Sequence, residues 1–268
     1  MTPEQLARQY QQRYGAIRNR AQAAASLAWA RTGGLTDGDA DRLAEVVSRI
    51  VLSAELATTR LVRAFLQAQL DEDLDIDAEL TTGAALRNGV DPLEVYRRPA
   101  VNARVAVALG HTFDEAMARA GQRASVLAQT DVALSQRAAI SLATDATPRI
   151  VGYRRVLTGR SCAFCATAST QRYRRGELMP LHPRCDCSVA PMIGDRDPGH
   201  VINRPLLRQL KSAGNASGDP QYWKSRHLAV DADGTVHLPE IVVHEHGELG
   251  PYLQGAEHHF TGPDDLAA

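Results

Sequence analysis

The sequence predicts an α+β chain: a region of long helices, then a small module that carries every cysteine, then a partly extended tail. Helix-start signals occur at Thr2, Thr36, Asp91 and Thr112, each ahead of a helical pattern. After Pro148, β-branched runs and turn residues replace that pattern. With 268 residues, 44% hydrophobic and 23% charged, the chain has the composition of a folded protein with enough apolar surface for a core.

Thr2 is followed by Pro3 at the first helical position and by Gln5 three residues after the cap, which predicts a helix to about Thr32, before Gly33 and Gly34. Thr36, with Asp37 and Asp39 in the first turn, opens a second helix. Its Leu43, Val47, Ile50, Ala54, Ala57, Leu61 and Phe65 share one apolar face. The acidic run from Asp71 to Asp77 reads as a solvated turn. Asp91-Pro92-Leu93-Glu94 starts a third helix, which Pro99 should end or kink. Thr112-Phe113-Asp114-Glu115 starts a fourth, reaching about Thr144, with Ala116, Met117, Ala120, Leu127, Leu134 and Ile140 facing inward. Aromatic residues are only 5% and alanine recurs, so small helix faces are expected rather than a β-sandwich core.

A boundary near residue 148 divides the chain. Residues 1–148 form a helical docking and assembly region, residues 149–226 a Cys/His α+β module, and residues 227–268 an acidic, histidine-rich hairpin and tail. From residue 228 onward there are eight acids, five of the nine histidines and no Lys or Arg, the pattern of a mobile or partner-docked tail. The runs Leu228 to Val230 and Ile241 to Val243, flanking Asp233-Gly234, predict a hairpin.

The strongest chemical signal is Cys162-x2-Cys165 followed by His182-x2-Cys185-x-Cys187. Zn²⁺ takes four soft or borderline donors about 2.0–2.3 Å away, and a Cys-x2-Cys turn with a return segment supplies them, as in a zinc ribbon. Five donors, Cys162, Cys165, His182, Cys185 and Cys187, compete for four places, and the spacing leaves open which is left out. Disulfides, free thiols and a redox or nucleophilic cysteine are the other uses of such a cluster. A zinc here would be closed and structural.

A net charge of −1 argues against nucleic-acid binding driven by the bulk charge of the chain. Arg149, Arg154, Arg155, Arg160, Arg172, Arg174, Arg175 and Arg184 nevertheless make the module basic. They read as solvated arginines, or as a surface for an acidic partner, a phosphate backbone or the chain's own acidic tail. In His244-Glu245-His246-Gly247-Glu248 the histidines are two apart, whereas the zinc-protease helix pattern needs them four apart. No Gly-x-Ser-x-Gly elbow or phosphate-cradling loop occurs; Ser161, Ser169 and Ser188, near His182, are weak nucleophile candidates. No apolar run approaches the ~20 residues that span a bilayer, and the opening MTPEQLARQYQQRYG lacks a signal-peptide layout, so a cytoplasmic protein is expected.

Several segments together resemble tailed-phage head morphogenesis proteins, the MuF-like minor capsid family. They are Tyr153-Arg154-Arg155-Val156, Cys162-Ala-Phe-Cys165, Tyr173, Gly176 to His182, and Cys185-Asp-Cys187-x-Val189-x-Pro191. Asp197-Pro-Gly-His200-x-x-Asn203, His244-x-His-Gly-Glu-Leu-Gly250 and Phe260-Thr-Gly-Pro263 are similar to segments of the actinobacteriophage members labelled capsid maturation protease. An arginine-rich composition, in which only Lys211 and Lys224 are lysines, agrees with an actinobacterial host. The resemblance implies procapsid assembly beside the portal, scaffold and major capsid proteins in the host cytoplasm, with a place in the virion head and scope for self-association. It makes nucleic acid a minor partner and involves no membrane. The protease label implies the alternative, a maturation peptidase cleaving scaffold or capsid protein, and assigns no catalytic residue.

Overall fold

Threonine caps set the start of three helices. The computed structural model describes residues 2–156, 168–169, 172–176, 187–198, 229–230, 236–237 and 241–255. Helix α1 (Pro3–Ala30) starts from a capping box in which the Gln5 N–H donates to Thr2 Oγ1 at 3.2 Å and the Thr2 N–H donates to Gln5 Oε1 at 2.9 Å. Thr36 with Asp39 does the same for α2 (Asp37–Leu70), and Thr112 with Glu115 for α4 (Phe113–Ala146). Asp91 caps α3 (Pro92–Ala108) through the Leu93 N–H, with Pro92 at the first position.

Two expectations about this half are corrected. The acidic run after α2 is more than a solvated turn: Leu74 and Ile76 are buried in the core, while Asp73 reaches back to Arg63 Nε at 2.8 Å. Pro99 does not end helix α3, which continues through it to Ala108 with the proline ring buried. Two 3-10 turns, Glu79–Thr81 and Gly83–Arg87, lie between α2 and α3.

Alanine decides how the helices pack. The buried line Ala116, Ala120, Ala124 and Ala128 of α4 leaves room for larger side chains from α1 and α3, Trp29 and Tyr96 among them. Trp29 Cβ would stand 3.4 Å from a Cβ placed on Gly121, an ordinary van der Waals contact, so the two helices cross closely here. Helix α2 lies between, packing on α1, α3 and α4. Its buried face is wider than the predicted stripe and adds Val51, Glu55, Thr58, Thr59, Val62 and Leu66.

After Thr147 the chain enters an antiparallel sheet ordered β2-β1-β3, with β1 Ile150–Val156, β2 Tyr173–Arg174 and β3 Ser188–Ile193. Tyr153, Val156, Val189 and Ile193 share one apolar cluster with Phe65, Leu66 and Leu70 of α2 and Ala139, Ile140 and Ala143 of α4. The chain is therefore α+β and mostly helical.

The C-terminal pairing differs from the predicted hairpin. β4 (Ala229–Val230) pairs with β5 (Val236–His237), and β6 (Ile241–His246) pairs with β7 (Gly250–Gly255). Each strand-like run thus found a nearer partner in sequence than the other run, which lowers the entropy of loop closure. Among the described residues, no helix is long and apolar enough to cross a membrane.

Gly152 lies where β1 meets both neighbours, at a register shift against β3. A Cβ there would come within 2.4 Å of the Tyr173 carbonyl oxygen and 2.6 Å of Met192 Cε. Because the first obstacle is backbone, it cannot rotate away. Gly152→Ala should therefore lower stability by about 1–3 kcal/mol, read from the urea midpoint at an unchanged slope.

Candidate functional site

Antiparallel pairing places the end of β1 beside the start of β3, with Val156 opposite Ser188. The segment carrying Cys162 and Cys165 and the segment carrying His182 and Cys185 therefore attach to the sheet at the same end, where Cys187 stands. Cys162, Cys165, His182 and Cys185 themselves lie outside the described residues. Cys187 is buried, and Arg155 Nη1 donates to its Sγ at 3.8 Å. The Arg155 guanidinium also lies 5.0 Å from the Tyr173 ring centroid. Among the described residues no three His, Cys, Asp or Glu side chains converge as metal ligands.

The other candidates take structural positions where they are described. Ser169 is buried, Ser188 Oγ is buried with no hydrogen-bond partner among the described atoms, and Ser161 lies outside the described residues. His244 and His246 sit on a strand, His244 opposite Tyr252. His246 Nδ1 accepts the backbone N–H groups of Glu248 at 3.2 Å and Leu249 at 3.4 Å, so it builds the β6–β7 turn.

Among the described arginines of the basic module, Arg149, Arg172, Arg174 and Arg175 are exposed, as expected of solvated arginines, and most also bond within the chain. Arg149 donates to the Leu70 carbonyl at 2.6 Å, at the end of α2, and Arg175 donates to the Thr144 carbonyl, in the last turn of α4. Helix C-termini leave carbonyls without intrahelical donors and carry partial negative charge, so these cations seat the sheet on the helix ends. Arg154 and Arg172 both grip Asp197, with Arg154 making two bonds at 3.0 Å. Arg160 and Arg184 lie outside the described residues.

A charged cluster that the sequence reading missed lies inside the helical half. Arg87, in the second 3-10 turn, is 3% exposed and donates from Nε to Asp131 Oδ1 of α4 at 2.8 Å. Tyr96 of α3 donates its hydroxyl to the other oxygen of Asp131. Glu55 of α2, also 3% exposed, accepts the Gly83 N–H at 2.9 Å. Thr59 and Thr81 share a 2.8 Å hydroxyl contact beside it, and Ser135 donates to the Glu55 carbonyl at 3.2 Å. Arg87 also reaches Glu248 of the β6–β7 turn at 3.1 Å, and Arg98 pairs with the same carboxylate.

Burial pushes the Glu55 carboxyl up to about 7, and the neighbouring Asp131 charge adds to the rise. Burial pushes the Asp131 carboxyl up as well, while the Arg87 guanidinium pulls it back. One signal of this cluster was legible: Glu55 and Asp131 lie mid-helix, whereas the other acids of these helices lie near the helix ends or on outer faces. Nothing in the local pattern placed Arg87 against them.

The outer face of α3 is apolar. Val101 and Val105 are each 51% exposed and Leu109 is 77% exposed, a ridge at a spacing of four, with Phe113 exposed just beyond it.

Residues 1–203 match the VG15 protein family, which takes in all four helices and the three-stranded sheet. The chain belongs to that family. VG15 is a family of phage virion genes, so a virion-associated structural or morphogenetic role is the reading it supports. No curated protein and no solved structure matches the chain.

The raised Glu55 carboxyl has a definite sign. The folded chain binds a proton between about pH 7 and 4.5 that the unfolded chain does not, so this group favours folding at the acid end of the window and loses that advantage as pH rises. Glu55→Gln keeps an oxygen for the Gly83 N–H and removes the charge. Thermal unfolding should show the variant more stable than the parent at pH 8, by on the order of 2–3 kcal/mol, with the gap closing towards pH 5.

Proposed function

We propose that this chain is a MuF-like minor capsid protein that works in phage head morphogenesis with the portal, scaffold and major capsid proteins. The observation that carries this reading is membership of a phage virion family across the helices and the sheet. The exposed α3 ridge supports it, because a protein that joins a larger shell needs an apolar surface left for a neighbour. Residues of this ridge are the docking surface in this reading. The host cytoplasm is where assembly takes place, and the finished head is where the protein ends.

The Cys/His module then serves as a staple. Cys162, Cys165, His182, Cys185 and Cys187 supply the thiolate and imidazole donors that Zn²⁺ prefers, and four of the five would hold it. Two observations fit: the end of β1, from which the Cys162 segment departs, lies beside the start of β3, into which the His182 segment runs, and Arg155 donates to Cys187 Sγ at that end. Bound zinc would supply folding free energy to a small module whose strands are short.

Co-expression with the scaffold and major capsid proteins of the same phage tests the assembly reading. The parent chain should co-sediment with procapsids and leave both partners at intact mass. Val105→Asp with Leu109→Asp should abolish co-sedimentation while the circular dichroism spectrum is retained. Scaffold or capsid protein trimmed in a way that a single Ser, His or Cys substitution stops would replace this reading with a maturation peptidase.

Elemental analysis of the purified chain should return about one zinc per chain. Chelation should lower the melting temperature, and Cys162→Ser should remove both the metal and the chelator response. A chain free of metal whose melting is indifferent to chelator would refute the staple.

A further inference from the structure

Glu248 stands in the turn between β6 and β7, and its carboxylate fills a point on which the Arg87 and Arg98 guanidiniums converge. Its Oε2 accepts from Arg87 Nη1 at 3.1 Å, and its Oε1 pairs with Arg98 Nη1. Arg123 of α4 lies close enough to feel the same charges: burial and the neighbouring Arg98 hold its pKa below the usual value, and Glu248 opposes them. Asn88 Nδ2 donates to the Gly247 carbonyl at 3.0 Å and seats the turn.

The other acids of the cluster cannot take over this role. Asp131 is held by Arg87 on one oxygen and Tyr96 on the other, and Glu55 faces the Gly83 N–H and is partly protonated near neutral pH. Without Glu248, Arg87 would keep Asp131 alone and Arg98 would lose its carboxylate. A buried guanidinium whose outer edge has lost its anion is costly, so this point demands a carboxylate. Planar guanidiniums bind a carboxylate through its two oxygens, whichever chain that carboxylate belongs to.

We infer that Arg87 and Arg98 form a carboxylate-recognition site that the β6–β7 turn occupies in this conformation and that an acidic segment of a partner protein occupies after displacing Glu248. The two strands of the hairpin pair with each other in the described ladder, with Val243 exposed and Tyr252 buried. A two-stranded hairpin is marginal on its own, so its tie to the helices through Gly247 and Glu248 helps to decide whether it stays. An acidic partner competes with that tie by mass action. The site stands on the geometry of the cluster and does not depend on the head-assembly reading.

The test uses the full chain, its Glu248→Ala and Glu248→Gln variants, and Arg98→Gln added to each. The probe is a fluorescein-labelled peptide copying residues 241–255, together with the same peptide carrying Glu248→Gln. Amide exchange over residues 241–255 should speed up about tenfold in both Glu248 variants, with α2 and α4 protected as before. By fluorescence anisotropy, both variants should bind the parent peptide about tenfold more tightly than the unmodified chain does. That binding should be lost with the Gln peptide and with Arg98→Gln. The Gln variant keeps the side-chain shape, so the test survives if the Ala variant misfolds. Equal binding of the two peptides, binding of neither, or unchanged exchange in the hairpin would each overturn the inference.

Discussion

The Arg87–Asp131 ion pair is the constraint around which the helical half is arranged. Arg87 comes from the short link between α2 and α3, Asp131 from the middle of α4, and Tyr96 of α3 donates to the same carboxylate. Glu55 of α2 lies beside them, and Glu248 closes the outer edge. Elements far apart in sequence thus meet at one guanidinium. A buried ion pair of this kind adds little net stability over apolar packing, but an arrangement that leaves one partner unmatched is heavily penalised. Its contribution is to select one register of the helices, which an alanine-rich interface with few bulky side chains specifies poorly by shape alone.

The sheet is held to the helices by a different device. Arg149 and Arg175 donate to carbonyls in the final turns of α2 and α4, and beside them Tyr153, Val156, Val189 and Ile193 complete the apolar cluster begun by Phe65 and Leu70. Charge and burial act together here. The guanidiniums satisfy the helix ends that the sheet covers, which is the condition for burying those ends at all. The strong arginine bias of the chain therefore has a structural use within the fold, whatever its genomic origin.

The two surfaces proposed for partners differ in chemistry. The α3 ridge is apolar and open to solvent, suited to a contact made by burial of area. The arginine cluster under the β6–β7 turn is polar and already filled by Glu248. One surface is available whenever the chain is folded, and the other has to be vacated first. A virion-associated protein has both kinds of need, since it must enter an assembly and then hold its place there.

The sequence by itself determined the helices, because the information is local: a threonine cap, its Gln, Asp or Glu three residues on, and an apolar period fix start and phase within one turn. It also put Cys162, Cys165, His182, Cys185 and Cys187 close together at the spacing that metal donors would need, a pattern read from the sequence alone. Tertiary structure alone decided that α3 runs through Pro99, that Leu74 and Ile76 leave an acidic run for the core, and that the β6 segment pairs with β7. It alone joined Arg87 to Asp131 and both to Glu248. Long-range pairing of buried charges leaves no periodic trace, because each partner only makes sense once the other has arrived, and that meeting is set by the packing of the whole.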